Sequence, residues 1–151
     1  GVPTDKPLAA GDFFTLDFGA KKDGYCSDMT RTVAIGYADD RMHRVYDTVL
    51  RAQQAGLAAI RAGIPCREVD AAARRVIEEE AGYRGCFGLE IHESPNFSPL
   101  SKDTAEAGNV LSVEPGVYLE GRFGVRIEDI VCVTELGCED LTRSPKELIV
   151  L

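Results

Sequence analysis

Long apolar runs are missing from this 151-residue sequence. The longest are a few residues, far short of the roughly 20 that a membrane-spanning helix needs, so no membrane partner is expected. No basic segment leads into an apolar one at the start, and no secretory signal is read there. Clusters of Lys and Arg are absent too. Seventeen basic residues stand against 25 acidic ones, a formal charge of −8, which argues against nucleic acid, whose phosphates select basic surfaces. The five cysteines (Cys26, Cys66, Cys86, Cys132, Cys138) form no CxxC pair and no metal-finger spacing, and five is odd. They read as free, mostly buried thiols of a reducing, cytoplasmic setting. Histidine is scarce, with only His43 and His92. His43 lies among charged neighbours in a helical stretch and is expected at the surface. No linker or low-complexity segment divides the chain. With 44% apolar residues, too many for a disordered chain, residues 1–151 read as a single domain with a sizeable core.

What is present has the order strands, two helices, loop, strands, an α+β pattern. Phe13 to Phe18 and Tyr25 to Ile35 read as strands joined around Lys21-Lys22-Asp23-Gly24, where Asp-Gly is a strong hairpin signal. Asp39-Asp40 open a helix with apolar positions Met42, Val45, Tyr46, Val49, Leu57 and Ile60, stopped by Gly63 and Pro65. A second helix is expected from Arg67 to Ala81, closed by Gly82. Residues 94–108 are rich in Pro, Ser and Gly and read as loop. Asn109 to Glu114, Val125 to Thr134 and Leu148 to Leu151 read as further strands.

The chemistry shows in the acids those strands carry. Asp is depleted in strands, so Asp17 and Asp28 among apolar neighbours need a reason. Their midpoint falls between Lys22 and Asp23, and a symmetric four-residue turn at 21–24 would set them directly opposite, with Cβ atoms about 4.5–5.5 Å apart. Glu114 and Glu128 repeat the pattern about Gly121. Two carboxylates about 5 Å apart repel by roughly 3 kcal/mol at an effective dielectric near 20. Four converging would strain a marginally stable domain unless protons or cations neutralise them. On spacing alone, solvent-facing acids in a different register remain an open alternative. An oxygen-only donor set favours hard or borderline divalent ions such as Mn²⁺, Mg²⁺ or Co²⁺.

Four segments carry a closer likeness: Thr15-Leu16-Asp17-Phe18-Gly19, Tyr25-Cys26-Ser27-Asp28-Met29-Thr30-Arg31-Thr32, Val113-Glu114-Pro115-Gly116-Val117-Tyr118 and Val125-Arg126-Ile127-Glu128-Asp129. In this order they resemble the Xaa-Pro peptidase family, the dinuclear metallopeptidases of the pita-bread (creatinase/aminopeptidase-like) fold that include prolidases and aminopeptidase P. The resemblance runs from Gly1 to Leu151 and ends in a prolidase-like Leu141 to Leu148. It implies a partial catalytic domain in which antiparallel hairpins carrying paired acids pack against two helices.

The same resemblance implies roles. Asp17 would chelate one metal, Asp28 and Glu128 would bridge two, and Glu114 would bind the second. The pair would be Mn, Co or Zn, with Mn favoured. His92, in Leu89-Glu90-Ile91-His92-Glu93, matches a histidine that contacts substrate and steadies the tetrahedral intermediate. It does not belong to an HExxH helix, because Asn96 stands where the second His is needed. Arg126 matches a residue that orients the acids or the substrate carboxylate. The implied activity is exopeptidase cleavage of small peptides with proline in second position, as dipeptidase or aminopeptidase, in a homodimeric full-length enzyme. A metal-bridging hydroxide would attack, with Glu114 or a neighbouring acid shuttling the proton. The alternative is a non-catalytic pita-bread module that binds a protein partner.

The sequence also departs from the family. A His metal ligand in a His- and Gly-rich stretch is expected just before Leu89, yet Cys86-Phe87-Gly88 runs straight into it. A further substrate or oxyanion histidine would lie upstream of Gly1. Either residues of a longer enzyme are left out of this chain, or the chain is shortened. The first reading is adopted here and predicts a chain break between Gly88 and Leu89.

Overall fold

The computed structural model describes residues 5–83 and 94–151. His92, Cys86 and the Gly88–Leu89 junction lie outside them.

Strand β1 (Phe13–Phe18) pairs antiparallel with β4 (Met29–Ala34), and between them a short ladder of β2 (Lys21–Lys22) and β3 (Tyr25–Cys26) closes the hairpin. The register differs from the sequence expectation. Asp17 lies opposite Thr30 rather than Asp28, and Lys22 lies opposite Tyr25. The turn is therefore two residues long, Asp23-Gly24, both with positive φ (52° and 88°). That is the twist-matched geometry that Asp-Gly supplies at low cost. The expected strand from Tyr25 to Ile35 is also interrupted, at Ser27-Asp28. There Gly19 lets the two backbones close in: a Cβ on Gly19 would stand 2.0 Å from the Ser27 carbonyl oxygen.

Helix α1 (Asp40–Ala59) starts at Asp39, whose Oδ1 accepts from the Met42 amide at 2.8 Å. This is the cap the sequence signalled. Its buried stripe comprises Met42, Val45, Tyr46, Thr48, Val49, Ala52, Gln53 and Gly56, and His43 is exposed as expected. Helix α2 (Cys66–Arg75) continues into a π-helical turn, Val76–Glu80, and ends at Gly82 with φ +75°.

The second hairpin is in the expected register. β5 (Val110–Val113) pairs with β8 (Asp129–Val133), and β6 (Gly116–Leu119) pairs with β7 (Phe123–Arg126), both about Gly121. Glu114 and Glu128 sit in the gaps between these ladders, so the long strand expected from Val125 to Thr134 is two strands. β9 (Cys138–Asp140) adds to β8. Leu148 to Leu151 forms no strand. A single parallel bridge, Ala34 with Val150, ties that end to β4.

Two apolar clusters fix the hairpins to the helices. One joins α1 and the end of α2 to β6 and β7 through Val45, Tyr46, Val49, Ile77, Val117, Val125 and Ile127. The other joins Ile60, Ile64 and Val69 to Leu111, Val113, Val131 and Val133 on β5 and β8. Fully burying one such side chain is worth about 1.5–3 kcal/mol. The hairpin carrying Glu114 and Glu128 is therefore anchored on the helices, and Phe13 of β1 packs against the first cluster. Of the four described cysteines, Cys66 is buried, Cys132 and Cys138 are half-buried and Cys26 is exposed, because Cys26 lies at a hairpin tip instead of inside a long strand.

Candidate functional site

The two hairpins meet at one joint. The Glu128 amide donates to the Thr30 carbonyl at 3.1 Å, and Thr32 Oγ1 both donates to the Arg126 carbonyl (3.0 Å) and accepts from its amide (3.1 Å). This joint carries Glu128 to the acids of the first hairpin. Asp17, Asp28 and Glu128 each offer a carboxylate oxygen, and these atoms all lie within 4.8 Å of one another. The changed register does not undo the meeting. Moving the partner of Asp17 from position 28 to position 30 is a two-residue step, and side chains alternate with period two, so Asp28 stays on the same face as a diagonal neighbour.

Glu114 is outside that trio but acts on it. Its carboxylate accepts from Ser112 Oγ at 2.7 Å, and its charge raises the pKa of Glu128. Glu128 is 2% exposed. Oε2 accepts from Thr30 Oγ1 at 2.6 Å, whereas Oε1 is buried with no hydrogen-bond partner. Burial, with the charges of Glu114 and Asp28, pushes its pKa up to about 7 against the pull of Thr30 and Arg126.

Arg126 supplies the cation. Its Nη2 pairs with Asp17 Oδ2, its Nε donates to Thr30 Oγ1 at 3.0 Å and lies 4.0 Å from Glu128 Oε2, and Nη1 donates to the Tyr118 hydroxyl at 3.2 Å. Burial alone would lower its pKa, but Tyr118, Asp17 and Glu128 hold it above the ordinary arginine value. Sequence reasoning named Arg126 and missed Thr30 and Tyr118. The Tyr118 signal was there to find: Gly116 and Gly124, either side of it across β6 and β7, have no Cβ, and one would meet the ring at 2.9 and 2.6 Å.

These residues fit a divalent cation. Three convergent carboxylates, only oxygen donors, and a buried carboxylate oxygen left without a partner are what a hard ion replaces water with. A cavity of about 830 Å³ opens beside them, lined by Asp28 and Glu114 with Asn96, Phe97, Leu111 and Tyr118 among others. His92 lies outside the described residues.

The profile of metallopeptidase family M24 matches residues 1–135. The "Uncharacterized peptidase YqhT" of Bacillus subtilis is 46% identical over 159 aligned residues, covering 100% of this chain and 45% of its own length. That alignment exceeds the chain's 151 residues by eight, so at least eight positions of the relative have no counterpart here. Among solved structures, an Xaa-Pro dipeptidase from Bacillus anthracis superposes with TM-score 0.94 at 47% identity, over 100% of this chain and 44% of that one. An X-Pro aminopeptidase from Thermotoga maritima gives 0.93 and 40% over 100% and 44%. The chain thus spans less than half the length of these relatives. Among the described residues no helix is long and apolar enough to cross a membrane.

Proposed function

The chain belongs to metallopeptidase family M24 and carries part of its pita-bread fold, and from that premise we propose that it forms part of a divalent-metal exopeptidase cleaving Xaa-Pro peptides. The observation that supports this most directly is the meeting of Asp17, Asp28 and Glu128 within 4.8 Å, with Glu128 Oε1 unpartnered. In this reading Asp17, Asp28, Glu114 and Glu128 hold two ions, with Mn²⁺ preferred on the hardness of the donors.

Two such ions, when bound, would supply Lewis-acid activation of the scissile carbonyl and of the attacking water. The chain's own residues do the rest. Arg126 orients Asp17. Thr30 fixes one oxygen of Glu128 and leaves the other free to ligate. Glu114, half-buried on the cavity wall, or a neighbouring acid would carry the proton from water to the departing amine. His92 is assigned to hydrogen-bond the tetrahedral intermediate, as the resemblance implies. The relatives named for Xaa-Pro dipeptidase and X-Pro aminopeptidase activity support proline in the second position and leave both exopeptidase modes open.

The test is a calorimetric titration with MnCl₂, followed by assay on an Xaa-Pro dipeptide, an Xaa-Pro tripeptide and the matching Xaa-Ala peptides. Stoichiometric Mn²⁺ uptake with hydrolysis confined to the Xaa-Pro peptides is expected. Absence of uptake, as a non-catalytic binding module would show, overturns the metal site. Equal cleavage of Xaa-Ala overturns the specificity.

A further inference from the structure

Beneath the carboxylates lies a second polar cluster that the proposed chemistry leaves unused. At its centre is Arg31 on β4, only 7% exposed. Its guanidinium spends every N–H it has. Nε donates to the Pro145 carbonyl (2.8 Å), Nη1 to the carbonyls of Thr30 (2.9 Å) and Glu128 (2.7 Å), and Nη2 to Asp129 Oδ1 (2.7 Å) and the Ser144 carbonyl (3.0 Å). Five donors in a rigid plane meet five acceptors. Asp129, fully buried, also accepts from Gln53 Nε2 on α1 and pairs with Lys146 Nζ at 2.8 Å.

Two of those acceptors matter for the site above. Thr30 and Glu128 are the residues that join the hairpins, and one NH₂ group of Arg31 holds both their carbonyls. Their side chains are the donor and acceptor of the 2.6 Å bond that sets Glu128 against Asp17 and Asp28. A residue gripping both backbones fixes where that carboxylate stands, although it touches none of the three acids' side chains.

We propose that Arg31 is the positioning residue of the carboxylate cluster: its guanidinium locks the Thr30–Glu128 joint so that the site is built before any cation arrives. The inference rests on the metal-site reading and concerns how tightly, not whether, the acids bind an ion. Its chemistry is specific to arginine. A lysine in the same place keeps the charge beside Asp129, but three donors on one nitrogen cannot span carbonyls on two hairpins and a carboxylate together.

The experiment compares Arg31→Lys with Lys146→Met, titrating MnCl₂ into each metal-free protein. Lys146 also pairs with Asp129, but it makes no hydrogen bond to Thr30 or Glu128. Arg31→Lys is expected to bind Mn²⁺ about 10- to 100-fold more weakly, the usual loss when an outer partner of a metal ligand is removed. Lys146→Met should melt earlier yet bind as the unaltered protein does. Unchanged affinity in Arg31→Lys, or an equal loss in both variants, overturns the clamp while leaving the metal site standing. No uptake by the unaltered protein removes the site and the clamp with it. Hydrogen exchange on the unaltered, metal-free protein gives a reading that needs no variant. The Glu128 amide should already be protected, and exchange at the rate of an open loop until Mn²⁺ is added overturns the proposal.

Discussion

Thr30 and Glu128, 98 residues apart, are joined twice: the Glu128 amide donates to the Thr30 carbonyl at 3.1 Å, and Thr30 Oγ1 donates to Glu128 Oε2 at 2.6 Å. The backbone bond aligns the hairpins, and the side-chain bond commits one carboxylate oxygen. The other oxygen is left buried and unpaired, and from it the expected behaviour of several variants follows.

Glu128→Gln should lose metal and nearly all turnover on an Xaa-Pro peptide, because it removes the charge assigned to both ions. His92→Ala should keep its metal and lose about 10²–10³ in kcat, the usual cost of one hydrogen bond to a developing oxyanion. Turnover measured beside metal content by elemental analysis separates the two. A Glu128→Gln protein with two metals and near-normal turnover would end the bridging assignment.

The raised pKa of Glu128, about 7, gives the metal-free protein a pH dependence of definite sign. Below the ordinary carboxylate value both folded and unfolded chains hold the proton, and stability is unaffected. As pH rises towards 7 the unfolded chain ionises while the folded one resists, so stability is lost, by at most about 3 kcal/mol. Glu128→Gln has no such proton. Urea unfolding in chelator at pH 4.5 and pH 8 should show the variant gaining on the parent at the higher pH. A constant difference between them would sink the assignment.

Gly19→Ala places a methyl group 2.0 Å from the Ser27 carbonyl oxygen, a contact only backbone movement relieves. A loss of about 1–3 kcal/mol is expected from that displacement. Because Ser27 precedes Asp28, Mn²⁺ affinity should fall with it. Urea unfolding and a manganese titration of the same protein check both, and an unaltered hairpin in the titration would contradict the close approach.

Asp129→Ala removes the carboxylate that pairs with Arg31 at 2.7 Å and Lys146 at 2.8 Å. Stranding a buried guanidinium costs about 3–5 kcal/mol. Lys146 is better able to compensate, since Asp140 also pairs with it, at 2.5 Å. Denaturant midpoints should therefore show Asp129→Ala well below Asp140→Ala.

The sequence made the second hairpin legible in full register, because Glu114 and Glu128 share a midpoint with a Gly-centred turn. It left the first hairpin two residues out, because Asp23-Gly24 forms the whole turn instead of half of one. The face survived that error and the opposing partner did not. What no local pattern announced was where strands stop. Ser27-Asp28 and Ile127-Glu128 sit in breaks because the backbone at Glu128 turns to pair with the other hairpin, a tertiary event. Thr30, Arg31 and Tyr118 stood in the quoted segments without a role for the same reason, since their roles exist only once distant strands meet. Leu148 to Leu151 had strand composition, and it meets the end of β4 through three backbone hydrogen bonds, with Ala34 and Gly36, that make one bridge and no strand.

The order of assembly follows from the joint's span. Each hairpin closes over a short stretch of chain and can form in microseconds, whereas bringing Glu128 to Thr30 requires closing a loop of nearly a hundred residues. If the hairpins form first, Asp17 and Asp28 would come together before Glu128 reaches them. Under the proposed function, manganese added at the start of refolding would meet a two-carboxylate hairpin, and tight uptake should follow only once the distant strand docks. An ion would then report on this long-range closure as well as fill the finished site.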